Sequence, residues 1–476
     1  MQIFLEESPR WRGTCLLWLA ARIRFIIGML AATGLALNAH ADSDPVQVST
    51  GNVTTPPAGE STGEAEQFSV HGQFTNVTQK HPPITAPYQG PNSLRASEQA
   101  METGDVTLYV GIKLWSGGEL YVNPEIDQGY GLSNTVGIAG FPSGEAYKIG
   151  NWTPYYRMQR AFVCQTFALD GAQSKVESAP NALAGNKPDN NVTLTVGKFS
   201  VVDIFDTNVY AHDPRADFMN WSIIDSGAFD YAADSWGYTV GAAMEWTQGD
   251  WTLRGGYFAL STAPNAETLD TSFRQNSGVA EIERRFKLMG RPGAIRALAF
   301  VDRGRIARYE DALALATTTH TVPDVALVRR AGSKAGYAVN LEQEIADGVG
   351  MFTRTSTDNG KDEAFEFTEI NRSVSAGLSF KGNHWGRPGD TFGAAAVING
   401  LSEQARAYFA AGGNGILIGD GRLPHYGNER IFETFYSGHI NKSLSIAADF
   451  QYIWNPAYNP DRGPVTVYGL RLHAKF

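Results

Sequence analysis

Two stretches of this chain gather side chains suited to holding a polyhydroxy solute. Between Asp127 and Asn191 lie Trp152, Tyr155, Tyr156, Arg157 and Arg160; between Val201 and Ser235 lie Asp203, Asp206, Asn208, Asp213, Arg215, Asp217, Asn220, Trp221 and Asp225, with no lysine. Aromatic faces cover the C–H faces of a pyranose, and Asp, Asn and Arg bind vicinal hydroxyls through paired donors and acceptors. That mixture suits a neutral sugar better than an ion, for which a ring of one sign would be expected. The candidate contact residues are therefore Arg157, Arg160, Asp203, Asp206, Asp213, Arg215, Asp217, Asn220 and Trp221, with Glu245 and Arg254 added from strands. The same residues have plainer uses: loop aromatics pack loops onto walls, and opposed Arg and Glu neutralise one another.

Covalent chemistry finds no foothold. A hydrolase would need a nucleophile, a base and an orienting residue brought together. The chain has no Gly-x-Ser-x-Gly, no His-Glu-x-x-His and no Cys-x-x-Cys, and its 9 histidines are scattered. No catalytic residue, metal site or cofactor is expected.

Connections this long are usually functional and need a rigid frame. Alternation supplies it. Thr466, Tyr468, Leu470, Leu472, Ala474 and Phe476 share one face, whereas Gly469, Arg471, His473 and Lys475 share the other. Neighbouring runs agree on which face is apolar once each turn is placed. Around Asn441–Ser443, Tyr436 meets Ala448 and Thr434 meets Phe450; Val374, Ala376, Leu378 and Phe380 run into Phe392, Ala394, Ala396 and Ile398. Trp236, Tyr238, Val240, Ala242, Met244 and Trp246 form a further apolar face, with Trp246 opposite Trp251. Short turns at one end and long connections at the other divide a periplasmic from an extracellular side. A soluble sandwich would need a second layer over these apolar faces, and no long amphipathic helix or fixed-period repeat supplies one. The fold class is all-β: a transmembrane antiparallel β-barrel of about 16 strands, the even number expected of such barrels, with long extracellular or infolded loops. Ser93–Glu102 could form a short helix, or be a plain loop.

The ends of the chain agree with that compartment. Arg22 and Arg24 precede an uncharged run, Phe25–Leu37, that leads to Ala39-His40-Ala41: a secretory leader over 1–41, too short to span a bilayer at about 20 residues. Residues 42–66 are rich in Pro, Thr, Gly, Ser and Glu and should be a flexible preface to a barrel domain over 67–476. About 25 polar residues cannot make the globular plug of an energised receptor. With a net charge of −10 the chain lacks the basic footprint of a nucleic-acid binder. Once the leader and Cys15 are removed, Cys164 is left without a disulfide partner, consistent with a fold held by ladder hydrogen bonds. A final aromatic is an assembly signal in bacterial outer-membrane barrels. The expected partners are thus the barrel assembly machinery, outer-membrane lipid and lipopolysaccharide, and neutral sugars; a monomer and a homotrimer both fit.

Several blocks in order carry a family resemblance. Trp115-Ser-Gly-Gly-Glu-Leu-Tyr-Val-Asn-Pro-Glu125, Gly197-Lys-Phe-Ser-Val-Val-Asp-Ile-Phe-Asp206, Tyr210-Ala-His-Asp-Pro-Arg215, Phe218-Met-Asn-Trp221, and Asn459-Pro-Asp-Arg-Gly-Pro464 followed by Gly469-Leu-Arg-Leu-His473 resemble the OprB-type carbohydrate-selective porins. The resemblance runs from about Gln67 to Phe476 and implies a sixteen-stranded channel of the bacterial outer membrane, passing glucose-type mono- and small oligosaccharides passively, with no catalytic residues. The alternative is a general diffusion porin for small hydrophilic solutes.

Overall fold

The computed structural model describes residues 65–476 except Thr368. The expected leader, 1–41, and nearly all of the 42–66 preface lie outside the described residues.

Eighteen strands follow in order: β1 (Phe68–Lys80), β2 (Met101–Trp115), β3 (Gly118–Gly129), β4 (Asn151–Ala168), β5 (Gln173–Val176), β6 (Gly185–Pro188), β7 (Asn191–Phe199), β8 (Thr239–Gln248), β9 (Trp251–Ala259), β10 (Asn276–Leu288), β11 (Arg291–Ile306), β12 (Arg330–Ala346), β13 (Val349–Asp358), β14 (Arg372–Lys381), β15 (Thr391–Gly400), β16 (Glu429–His439), β17 (Leu444–Trp454) and β18 (Val465–Lys475). Sixteen close into one antiparallel barrel in which β1 pairs with both β2 and β18, while β5 and β6 form a separate hairpin between β4 and β7. Closure gives each of the sixteen barrel strands two neighbours, which satisfies ladder amides where lipid offers no partner.

The alternation has a direct physical reading. On β18, Leu470 is 53% exposed and Arg471 1%, so successive side chains face lipid and lumen. The registers Tyr436↔Ala448, Thr434↔Phe450 and Phe380↔Phe392 are those expected from the turns. Trp246 faces Leu253 instead of Trp251. The turn is the tight pair Gly249–Asp250, and the two-residue shift keeps the same face outward. Another expectation needs correcting: Trp236 and Tyr238 precede β8 and face the lumen, because the strand starts only at Thr239. The Asp127–Asn191 stretch is likewise not one loop. It holds β4, whose alternation is hidden by Pro154 and by aromatics on both faces; Trp152 and Tyr156 are exposed on its outer side. Residues 93–100 contain no helix, and Met101 and Glu102 already belong to β2.

One end of the barrel carries the short turns and the other the long connections, of which 200–238 folds inward and packs against the wall. Inward aromatics receive it: Phe205 packs edge-on against Phe258 at 6.0 Å between ring centroids, Phe218 against Phe435 at 5.0 Å, and Phe229 lies 5.2 Å from Phe300. Each such pair contributes about 0.5–1.5 kcal/mol beyond its area. Wall charges then fix the backbone of this connection and of the one between β3 and β4. Glu433 accepts from the Met219 and Asn220 amides, Glu429 from those of Ala139 and Gly140, Glu281 from Asp206 and Glu342 from Val209. Arginines do the converse for carbonyls. Arg354 donates to Ile223, Asp206 and Ala211, and Arg471 to Pro214, Ala216 and Asp217.

Candidate functional site

The infolded connections narrow the lumen to a cavity of about 340 Å³. Its wall begins at a β-bulge. Pro124 on β3 offers no amide to the ladder, and the register between β3 and β4 slips there, from Asn123↔Arg160 to Pro124↔Met158. The extra residue, Gln159, turns inward and donates to Glu125 at 3.0 Å and Asp127 at 3.1 Å. Arg157 and Arg160, on either side of the slip, both reach the lumen. Arg160 binds Asp203 bidentately, 2.7 and 2.6 Å, with its guanidinium 4.9 Å from the Tyr238 ring centroid. Burial raises the Asp203 carboxyl, but the Arg160 charge together with hydrogen bonds from Arg160 and the Ser200 amide more than offsets this and holds it below the usual carboxylate value.

A second pole surrounds Arg215. Its guanidinium lies 3.3 Å from Glu145, 3.6 Å from Glu125 and 3.7 Å from Asp105, none as a hydrogen bond, and the Glu145 oxygen nearest it accepts no hydrogen bond. Asp127 adjoins Glu125 through Gln159. One cation thus stands among several carboxylates. Burial, with Asp213 and Glu125 nearby, pushes the Glu145 carboxyl up despite Arg215. Asp225, also on the cavity wall, is raised to about 8 by burial and by Asp206, and burial lowers Lys148 to about 8.

Aromatics complete the wall. Trp236 donates to the Tyr155 hydroxyl at 2.9 Å, and the Arg157 guanidinium lies 3.3 Å from its ring centroid. Trp221 is stacked between Phe141 and Phe367, at 5.3 Å from each.

Of the candidates read from sequence, Arg160, Asp203, Asp213, Arg215 and Trp221 line this cavity together. Arg157 stands beside it on Trp236 and Asp234. Three others shape the loop: Asp206 accepts from Asn340 and Ser226, Asp217 from the His212 and Asp213 amides, and Asn220 caps the helical turn Trp221–Ile224 while donating to Gly140 and Gln451. Glu245 and Arg254 belong to a network along β8–β12, where Arg254 meets Glu245, Glu281 and Glu283, and Arg296 meets Glu283 and Glu342. This network is outside the cavity lining, and its two arginines are shared among four carboxylates.

Sequence reasoning missed Asp105, Glu125, Asp127 and Glu145, along with Trp236, Tyr238 and Lys148. The inward parity of Asp105, Glu125 and Asp127 on alternating strands was a usable signal. Glu145 and Lys148 gave none, because only the path of their connection brings them there. Among the described residues no group of three or more His, Cys, Asp or Glu is placed to hold a metal ion.

Comparison with known proteins agrees with this architecture. The chain superposes on the high-pH structure of Pseudomonas putida OprB with a TM-score of 0.65 at 14% identity, covering 86% of this chain and 94% of that one. It is 20% identical over 361 residues to porin AaxA of Chlamydia abortus, 75% of this chain and 70% of that protein. The model of the carbohydrate-selective porin, OprB family, matches residues 91–476. Sixteen closed strands, a lumen narrowed by an infolded connection and this match together establish that the chain belongs to the OprB family of carbohydrate-selective porins, sugar channels of the bacterial outer membrane.

Proposed function

We propose that this channel passes glucose-type mono- and small oligosaccharides by passive diffusion, with weak contacts at the Arg160–Asp203 and Arg215 poles. One observation carries the reading: a cavity of about 340 Å³ presents two guanidiniums, several carboxylates and aromatic groups together. Such a wall can exchange a sugar's hydration hydrogen bonds for its own without holding the sugar tightly. Contacts of this kind favour occupancy and still permit release, and no energy source is needed.

The excess of carboxylates around Arg215 favours a second reading, a general diffusion porin for small hydrophilic solutes with a preference for cations. Liposome swelling separates the two. A sugar should pass faster than an anionic or zwitterionic solute of the same size, and glucose should block single-channel current in a saturable way. Equal rates for glucose and a similarly sized amino acid, without block, would leave the general reading.

A further inference from the structure

A second basic feature lies on the outer wall of the barrel, away from the lumen. Arg274, Arg303 and Arg305 line a groove of about 450 Å³ at the ends of β10 and β11 that carry long connections, the extracellular side of a barrel of this class. All three are exposed. On β11 the outward positions run Ile295, Ala297, Ala299 and Val301, then Arg303 and Arg305. At the short-turn end, Ile295 pairs with outward-facing Arg284, whose guanidinium lies 5.0 Å from the Trp251 ring centroid. From Ile295 to Arg303 the strand rises about 27 Å, or roughly 20 Å across a membrane at the usual tilt, close to the ~25 Å apolar band of such barrels. The three arginines therefore stand where the acyl region ends and outer-leaflet headgroups begin.

Their pairing sets them apart from neighbouring arginines. Arg308 meets Glu310 at 3.3 Å, Arg329 meets Glu363 at 2.8 Å and Arg330 meets Asp311 at 2.7 Å. Arg274, Arg303 and Arg305 make no close ion pair among the described residues; Arg274 donates to the Ser272 hydroxyl and acts on Asp270 only at longer range, and Arg305 donates to the Arg329 carbonyl. Asp270, the one acid in the groove, is occupied by Ser272 and the Gln275 amide. Across the ladder Arg303 faces Ser333 and Arg305 faces Ala331, so small side chains leave the guanidiniums uncovered.

We propose that this groove binds a phosphate group of an outer-leaflet glycolipid, anchoring a phosphorylated lipid headgroup to the β10–β12 wall. Planar guanidinium forks match phosphate oxygens bidentately, and the apolar stripe directly beneath accommodates the acyl chains. Free phosphate shares the headgroup chemistry and lacks the chains.

The test measures binding of bis-phosphorylated lipid A to the detergent-solubilised full-length barrel by native mass spectrometry, beside dephosphorylated lipid A and inorganic phosphate. Bis-phosphorylated lipid A should bind at least about tenfold more tightly than the dephosphorylated form, and millimolar phosphate should not displace it. Replacing Arg274, Arg303 and Arg305 together with Ser should weaken binding about a hundredfold, at roughly fivefold per cation near a charged interface. Arg284→Ser at the opposite rim should leave it unchanged. Equal binding of the two lipid A forms, or full retention by a folded triple variant, overturns the proposal. Displacement by millimolar phosphate overturns the lipid assignment. If the triple variant fails to fold, the wild-type comparison of the two lipids decides alone.

Discussion

Replacing Arg471 with methionine should open the channel without unfolding the barrel. Arg471 is 1% exposed on β18 and donates to three carbonyls of one turn: Pro214 at 2.6 Å, Asp217 at 2.8 Å and Ala216 at 3.0 Å. That turn carries Asp213 and Arg215 to the cavity wall. A hydrogen bond from a charged group contributes about 1.5–3 kcal/mol, and three sharing one guanidinium do not add fully. Lumen water can solvate the released carbonyls, so the net loss should be about 2–4 kcal/mol. That is a factor of about 30 to 1,000 in the ratio of detached to docked loop. The sixteen-stranded ladder does not depend on this bond, so migration of the unheated barrel on gels should persist. Planar-bilayer recordings should show larger, noisier single-channel conductance and weaker block by glucose, with Arg471→Lys intermediate. Conductance and block identical to wild type would refute the claim that this arginine holds the constriction loop.

Four further outcomes follow from the same geometry. Lowering pH from about 9 to about 5 should reduce the preference for cations over anions, read as reversal potential in a salt gradient: Asp225, raised to about 8, loses its negative charge as protons bind, and Lys148, lowered to about 8, gains its positive one. Arg215→Gln removes the cation that meets Asp105, Glu125 and Glu145 and should shift that potential toward cations at pH 8; an unmoved potential would confine Arg215 to a structural role. Trp236→Ala removes an aromatic wall worth about 1 kcal/mol to a bound pyranose, so half-blocking glucose should rise about fivefold. Lys334→Met strands the Asp230 and Asp358 carboxylates, 2.9 and 3.0 Å from its amine, at a cost of about 3–5 kcal/mol; the heat-induced gel shift should move to lower temperature while conductance holds.

Much of the frame was legible because a strand's side-chain period is two and one face meets lipid. Leu470 and Arg471 disclose their surroundings by type alone, and the β16–β17 register follows from a short turn. The site was legible only in part. Arg160, Asp203 and Arg215 stood out as Arg and Asp in unusually long or irregular stretches, but Asp206, Asp217 and Asn220 have the same composition and serve as backbone ties. Type cannot distinguish a carboxylate that caps an amide from one that faces solute. Trp236 misled because an aromatic three residues before the start of β8 continues the strand's alternation on paper.

What the chain determines locally is therefore which faces meet lipid and water and where strands turn, since pairing and burial there depend on neighbours a few residues away. Only the closed barrel decides which charges meet across the lumen. Glu433 reaches the Met219 amide, and Arg471 the Pro214 carbonyl, over more than two hundred residues of chain. Those long-range bonds give the infolded connection its path, and that path sets the charge and width of the pore.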